Sequence, residues 1–293
     1  MSLLERENWA KAKEKSRRPA PEEAMRRPPE FDPGPSEVQP RFSRAIVRVP
    51  CRNFVHGLTA AGLGRPDFDK ALSQHAAYVE TLRSCGVEVV VLDADERFPD
   101  STFVEDPAVV TDRLAVIARP GAPSRRGEEE AIAEALAPFF PRLERIQAPG
   151  TLDGGDILKA GVHFFIGLSA RTNPAGAEQL AAILKKNGYS ASMVALKNVL
   201  HLKTGVAYLG GNDLLAAGEF VGHPDFRRFH VIPVAGDESY AANMIRINGT
   251  LLMPAGFEKT RLAVEKAGYV VRTVDVSEFR KLDGGLSCLS LRF

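Results

Sequence analysis

Helical stretches recur along this chain at intervals of about 40 to 60 residues, and short strand-like segments flank each of them. Strands that alternate with helices exclude an all-α or an all-β fold. The even spacing favours a strand–helix unit that is repeated about five times. The predicted helices cover residues 67–83, 126–139, 174–187, 223–229 and 258–267.

Composition divides the chain near residue 42. The first 42 residues hold paired arginines and Pro-rich segments but few apolar residues, so they cannot bury enough surface to order themselves. We therefore expect residues 1–42 to be a Pro-rich, partly disordered N-terminal extension. A predicted strand over 44–50 opens the folded body, and we expect residues 43–293 to form a single catalytic domain.

The overall composition excludes several classes of protein. A formal net charge of +1 provides no general attraction to nucleic acid or to a membrane surface. The three cysteines are too few for a disulfide framework, and none has zinc-site spacing. Neither a membrane-length apolar run, nor a signal-peptide core, nor a nucleotide-binding glycine pattern is present. We expect a cytoplasmic enzyme or binding protein with reduced thiols, no cofactor and no metal.

Cys288 is the candidate nucleophile. It follows the glycine pair Gly284-Gly285 and begins an alternating segment that predicts a strand through Phe293. A free cysteine more often packs as a small hydrophobic residue, so a reactive role requires a partner base elsewhere in the chain.

His201 is the candidate base among the six histidines, because it lies between two leucines and two residues before a lysine. A lone histidine is more often structural, and His75 on its predicted helix fits that role. We expect surface or turn positions for His163, His223 and His230.

Carboxylates cluster in three loops, and arginines lie beside two other segments of the chain. Each carboxylate alone fits ordinary turn chemistry, because aspartate beside glycine favours turns. Together the acidic loops suit a cationic group, and paired arginines suit a carboxylate. With a Cys/His pair, these groups predict an amino-acid substrate that has a cationic side chain. The residues concerned are Asp100, Glu105, Asp106, Asp153, Asp156 and Asp283 for the acids, and Arg119, Arg125, Arg126 and Arg171 for the arginines.

Six motifs in this order resemble the dimethylarginine dimethylaminohydrolases, which belong to the guanidine-modifying (pentein) superfamily together with arginine deiminases and amidinotransferases. The resemblance covers about residues 44–293. It implies an α/β fold, a five-bladed α/β propeller of ββαβ-type modules with a central active site. The motifs are FPDSTFVED (98–106), RPGAPSRR (119–126), GTLDGGD (150–156), SARTN (169–173), LHLKTG (200–205) and DGGLSC (283–288).

The resemblance also implies roles for individual residues. Cys288 is implied to be the nucleophile, His201 the general acid/base and Asp153 the third catalytic carboxylate, where some relatives carry the longer Glu. The implied substrate contacts are Asp106 and Glu105 at the guanidinium, Arg125 and Arg171 at the α-carboxylate, Asp100 at the amine, Leu58 in a mobile lid, and the backbones of Leu282 and Ser287.

The activity implied is hydrolysis of Nω,Nω-dimethyl-L-arginine and Nω-monomethyl-L-arginine to L-citrulline through a covalent S-alkylthiouronium intermediate on cysteine. The alternatives are an arginine deiminase or another guanidino-acid hydrolase of the superfamily, and a non-catalytic binder of arginine derivatives. An intact Cys288/His201/Asp153 set argues against a binder, which has no use for a nucleophile. The partner expected is the small-molecule substrate, without nucleic acid or membrane, and a homodimer is left open.

Overall fold

The computed structural model describes residues 41–293, so the expectation of an N-terminal extension falls almost entirely outside the described residues. Fifteen strands are formed within this range. They are β1 (Arg44–Arg48), β2 (Glu88–Leu92), β3 (Ala108–Val110), β4 (Ala115–Ile117), β5 (Leu143–Arg145), β6 (Ile157–Ala160), β7 (His163–Leu168), β8 (Ser190–Ala195), β9 (Val206–Gly210), β10 (Asp213–Ala216), β11 (His230–Pro233), β12 (Ile245–Ile247), β13 (Thr250–Pro254), β14 (Val270–Val274) and β15 (Leu291–Arg292).

Six α-helices lie between these strands in the same range, and none of them combines the length and the apolar character that a membrane crossing requires. They are α1 (Phe68–Ser84), α2 (Glu128–Leu136), α3 (Pro174–Lys186), α4 (Leu202–Gly205), α5 (Glu258–Lys266) and α6 (Ser277–Arg280). Short 3-10 helices cover Arg52–His56, Pro123–Arg125, Gly154–Asp156, Gly218–Phe220, Pro224–Phe226, Gly236–Ala242 and Ser287–Leu289.

The strands of residues 41–293 form five three-stranded sheets, in the orders β15-β1-β2, β3-β4-β5, β6-β7-β8, β11-β10-β9 and β12-β13-β14. In every sheet the middle strand pairs antiparallel with one neighbour and parallel with the other. A parallel pair requires a crossover connection, which a helix supplies in four sheets. These are ββαβ modules, and the five-bladed α/β propeller is confirmed.

The fourth module departs from the expected helix over 223–229. Its crossover between β10 and β11 contains only the 3-10 turns Gly218–Phe220 and Pro224–Phe226. Gly218 and Gly222, which precede the expected range, have φ values of 54° and 77°, so no α-helix runs through residues 218–222. The repeat was therefore correctly predicted, but the secondary structure of this one crossover was not.

Helix α1 shows how local sequence sets an element. Asp67 caps it by accepting a hydrogen bond from the Lys70 N–H at 2.9 Å. The face that bears Ala71, His75 and Leu82 is buried, so the prediction of a core role for His75 is confirmed. The prediction of a surface position for His163 is wrong, because its side chain is buried in β7.

The first and last strands of the described chain share one sheet. Ala45 of β1 pairs with Arg292 of β15, and Ile46 pairs with Leu291. The predicted strand from Cys288 to Phe293 is shorter than expected, because residues Ser287–Leu289 form a 3-10 turn. That turn holds Cys288 at the end of the module and directs it away from the ladder.

Candidate active site

The candidate residues come from loops and element ends of different modules. Cys288 lies in the 3-10 turn before β15, and His201 is the residue that precedes α4. Asp153 precedes the turn Gly154–Asp156, and Asp106 lies in the loop before β3. Loops on a rigid scaffold commonly carry functional groups, and here the propeller brings them to one place.

A small cavity collects most of these side chains. Its volume is about 30 Å³, which is the space of one water molecule. It is lined by Leu58, Asp100, Phe103, Asp106, Arg125, Arg171, Leu200, His201, Leu282, Asp283, Gly284 and Cys288. Asp153, Glu105 and Ser287 were also predicted at the site but do not line this cavity.

Cys288 is a buried thiol in an acidic setting. Burial, followed by the charges of Glu105 and Asp106, raises the pKa of Cys288 to about 12. One opposing contact is the Gly285 N–H, which donates to the sulfur at 3.4 Å. The thiol is therefore mainly neutral near pH 7, and positive charge that enters the cavity favours the thiolate.

His201 has the opposite balance. Burial alone disfavours its charged form, but the carboxylates of Asp106, Asp153 and Asp156 outweigh this and raise the pKa of His201 to about 9. Its Nε2 donates to Asp153 Oδ2 at 3.1 Å. The imidazole is thus an imidazolium near pH 7, ready to give up a proton.

Arg125 and Asp106 form a buried ion pair with an Nη1–Oδ2 distance of 2.5 Å. Glu128 holds the other side of the same guanidinium through Nε at 3.1 Å and Nη2 at 2.8 Å. The charge of His201 and of Arg125 overcomes the effect of burial and lowers the pKa of Asp106 to about 2. Asp106 is therefore an anion at any working pH, and Arg125 has a fixed orientation.

Arg171 has a donor without a partner. Its Nη1 is buried and has no hydrogen-bond acceptor among the described residues; the oxygen of Asp153 lies 3.8 Å away. Buried donors are almost always satisfied, so this one, which lies beside the cavity, is available to bind an anionic group. A carboxylate is the group that an arginine fork recognises best.

The loop that carries Leu58 closes the cavity. The Leu58 N–H donates to Asp100 Oδ1 at 3.1 Å, and the Ala60 N–H donates to Asp283 Oδ2 at 2.6 Å. Thr59 Oγ1 donates to the Lys281 carbonyl at 2.8 Å. These three contacts hold the loop beside the cavity that Leu58 and Asp283 line.

Glu105 faces away from the cavity. Its carboxylate accepts from Lys203 Nζ at 2.6 Å, Ser287 Oγ at 2.7 Å and Arg292 Nη2 at 3.1 Å. Glu105, Lys203, Ser287 and Arg292 all line a second cavity of about 700 Å³ within residues 41–293. These four polar side chains form the part of the second cavity's wall that adjoins the loop carrying Cys288.

Ligand-type atoms of Asp106, Asp153 and His201 lie within 4.8 Å of one another, a spacing that a metal ion could span. The charges are already balanced, because Arg125 pairs with Asp106 and the imidazolium of His201 donates to Asp153. A metal would have to displace the His201 proton and face the Arg125 guanidinium. The cluster therefore fits an ion-pair network better than a metal centre.

Sequence reasoning did not identify Glu128 and Asn243 as members of the site. Glu128 lies three residues after Arg125, and an i,i+3 pair of opposite charges was the available signal. Asn243 holds Ser287 through both atoms of its amide, at 2.9 Å and 3.1 Å. No local pattern identifies Asn243, because its partner lies 44 positions further along the chain.

Comparisons with known proteins agree with this arrangement. The family model described as "N,N dimethylarginine dimethylhydrolase, eukaryotic" matches residues 67–212. The N(G),N(G)-dimethylarginine dimethylaminohydrolase of Pseudomonas aeruginosa is 56% identical over 253 residues, which are 86% of this chain and 100% of that protein. The Streptomyces coelicolor protein of the same name is 38% identical over 85% of this chain and 96% of its own.

Solved structures extend the likeness. The Pseudomonas aeruginosa enzyme, as a Cys-to-Ser variant complexed with citrulline, superposes with a TM-score of 0.85 at 55% identity, over 86% of this chain and 100% of that one. The N-terminal domain of the cyanobacterial arginine dihydrolase ArgZ shares the fold, with a TM-score of 0.78 at 20% identity over 86% of this chain and 97% of that domain. Because the Pseudomonas and Streptomyces relatives match over nearly the whole propeller, the chain belongs to the dimethylarginine dimethylaminohydrolase family.

Proposed function

We propose that this chain hydrolyses Nω,Nω-dimethyl-L-arginine and Nω-monomethyl-L-arginine to L-citrulline and dimethylamine or methylamine. The observation that carries this is one cavity lined by a neutral thiol, an imidazolium and Arg171, which has an unsatisfied donor. The Pseudomonas relative, 56% identical, bears the name of this activity.

The cavity supplies a complementary group for each end of such a substrate. Arg171 and the remaining Arg125 donor would bind the α-carboxylate, and Asp100 would bind the α-amine near the Leu58 backbone. Asp106 is an anion that would face the planar guanidinium. The Leu282 backbone would contact the same substrate. Glu105 and Ser287, which do not line the cavity, would support the site through the hydrogen bond between them.

The first half of the reaction forms the covalent bond. The incoming guanidinium offsets the charges of Asp106 and Glu105 that hold the Cys288 thiol neutral, so the thiol releases its proton to solvent and the thiolate forms in the complex. Sulfur attacks the central carbon and gives a tetrahedral adduct. The imidazolium of His201 donates its proton to the departing amine as the carbon–nitrogen bond breaks. An S-alkylthiouronium remains on Cys288.

The second half releases the product. His201 is now neutral, and its proximity to Asp153 favours its recovery of a proton. It takes that proton from a water that attacks the thiouronium carbon. The carbon–sulfur bond then breaks, the hydroxyl proton of the adduct passes to the departing sulfur, and L-citrulline and the Cys288 thiol remain. Asp153 orients the ring and stabilises its charged form, and its burial keeps it away from the substrate.

The setting of the enzyme follows as a second part of the proposal. Cys51, Cys85 and Cys288 are all free thiols, which suits a reducing cytoplasm. We place the whole catalytic unit in residues 43–293, because every candidate side chain lies there. Size-exclusion chromatography with light scattering tests whether the chain forms a homodimer.

A citrulline assay on the purified chain tests the reaction. Arginine, monomethylarginine and asymmetric dimethylarginine are compared side by side, with Cys288→Ser as the control. Citrulline should form mainly from the two methylated substrates and not at all with the variant. Turnover mainly of arginine would move the chain to the deiminase class, and activity that survives in Cys288→Ser would refute the nucleophile assignment.

A further inference from the structure

Asn243 touches the nucleophile loop from another module. It lies between the 3-10 helix Gly236–Ala242 and β12, and its side chain is buried. Its Oδ1 accepts from the Ser287 N–H at 2.9 Å, and its Nδ2 donates to Ser287 Oγ at 3.1 Å. Asn243 does not line the substrate cavity, so it acts on the loop alone.

The orientation of this amide is fixed by chemistry. A backbone N–H can only donate, so the Asn243 oxygen must face Ser287 N and the NH₂ group must face Ser287 Oγ. The Ser287 hydroxyl hydrogen is then directed to Glu105 Oε2 at 2.7 Å. Ser287 Oγ lies 4.0 Å from Cys288 Sγ, so its lone pairs and its hydrogen have defined directions beside the thiol.

The same amide lies against Gly285. A Cβ on Gly285 would come within 2.4 Å of Asn243 Cγ, which shows how closely the backbone approaches. The Gly285 N–H is the donor to Cys288 Sγ at 3.4 Å. Tyr240, from the same segment, donates to the Gly284 carbonyl at 2.7 Å. Two side chains of one segment, Tyr240 and Asn243, therefore contact the loop at Gly284, Gly285 and Ser287.

We propose that Asn243 is a positioning residue for the nucleophile: it holds the loop 285–288 so that the Gly285 N–H keeps the orientation that stabilises the Cys288 thiolate. This rests on the proposed role of Cys288. The supporting contacts are polar and directional, whereas a residue that served only packing would have no need of both amide atoms.

The test is the rate at which iodoacetamide alkylates Cys288, followed on the Cys288 peptide by mass spectrometry from pH 7 to pH 10. Asn243→Leu keeps the shape of the side chain and excludes water but removes both hydrogen bonds. We expect about ten-fold slower alkylation across this range, because the thiolate loses its fixed donor. If Asn243→Leu does not fold, Asn243→Ser, which admits a water to the Ser287 N–H, should give the same direction.

Asn248→Gly is the matched control. Asn248 also joins distant segments through both amide atoms, with 2.9 Å bonds to the Phe42 N–H and carbonyl, and it has a φ of 48° that glycine accepts. It should lower the melting temperature without slowing the alkylation of Cys288. Wild-type alkylation in a destabilised Asn243→Leu, or equal slowing in both variants, would overturn the proposal. The readout needs no substrate, so an absence of citrulline would count against the proposed function and leave this inference standing.

Discussion

Asp153 holds His201 with one carboxylate oxygen and is itself anchored by the other. Oδ2 accepts from His201 Nε2 at 3.1 Å, while Oδ1 accepts from the Gly121 N–H at 2.9 Å. The Asp153 side chain has no exposed surface, so its charge acts on the ring without competition from water. The raised pKa of His201 depends in part on this contact.

Replacement of Asp153 by Asn should therefore lower the pKa of His201 from about 9 toward its ordinary 6.5. The alkaline limb of the kcat profile should move down in pH, and kcat at pH 8 should fall by up to about 30-fold because less imidazolium is available. Steady-state citrulline formation from pH 6 to pH 10 measures both effects. Asp69→Asn, in the first turn of α1, is the control. If the alkaline limb does not move in Asp153→Asn, Asp153 does not raise the pKa of His201.

His201→Gly should divide the reaction into its two halves. Without the ring, a substrate with a good leaving group still alkylates Cys288, but no base activates the water for the second step. Intact-protein mass spectrometry should show a long-lived adduct that the Cys288→Ser variant lacks. Rapid loss of the adduct in His201→Gly would show that another group performs the hydrolysis.

Glu128→Gln should weaken recognition of the α-carboxylate. Glu128 fixes the Arg125 guanidinium through Nε and Nη2, and the neutral amide cannot keep both charge-assisted bonds. KM for dimethylarginine should rise about ten-fold with little change in kcat. For a substrate analogue that lacks the α-carboxylate, the rise in KM caused by Glu128→Gln should be much smaller. Glu130→Gln, an exposed residue paired with Arg145, is the control.

Gly155→Ala should displace the catalytic ring by sterics alone. An added Cβ would lie 2.7 Å from His201 Nδ1 and 2.9 Å from Asp106 Oδ1. We expect kcat to fall about 100-fold, since small misplacements of catalytic groups are costly. Gly236→Ala is the matched control, because its Cβ would meet nothing within 4 Å. Equal activity of the two variants would contradict the geometry.

His75 makes stability depend on acid. Burial lowers its pKa from 6.5 to about 4, so between these values the unfolded chain binds the proton and the folded chain does not. The free energy of unfolding is unaffected by this group above pH 6.5. It decreases as the pH falls from 6.5 to 4, by about 3 kcal/mol in total. Urea unfolding of wild type and His75→Gln at several pH values measures it. The two curves should converge in acid and run parallel above pH 7.

The sequence identified those parts of the site whose signals are local. Cys288 beside a glycine pair, His201 between leucines and Asp106 in an acidic loop each carry a recognisable neighbourhood, and the structure brings them to one cavity. The spacing of helices and strands indicated a repeated unit, and the resemblance to the family implied the propeller. Asn243 was not identified, because its role depends on a partner in another module.

Glu105 shows a second limit of prediction from sequence, which concerns the direction of a side chain. Its neighbour Asp106 lines the cavity, and the motif suggested that both do. The backbone turns between them, so that Glu105 points to Lys203, which is 98 positions distant. Direction of adjacent side chains in a loop depends on dihedral angles that residue type leaves open.

The pairing of β1 with β15 has a consequence for how the protein reaches its active form. These strands lie at opposite ends of the described chain, so the loop that their ladder closes spans nearly the whole propeller. Closure of so long a loop is slow and follows the assembly of local modules. Cys288 is carried on the segment that docks in this step. During refolding, helical signal should return before catalysis, and the thiol remains open to oxidants until the ring has closed.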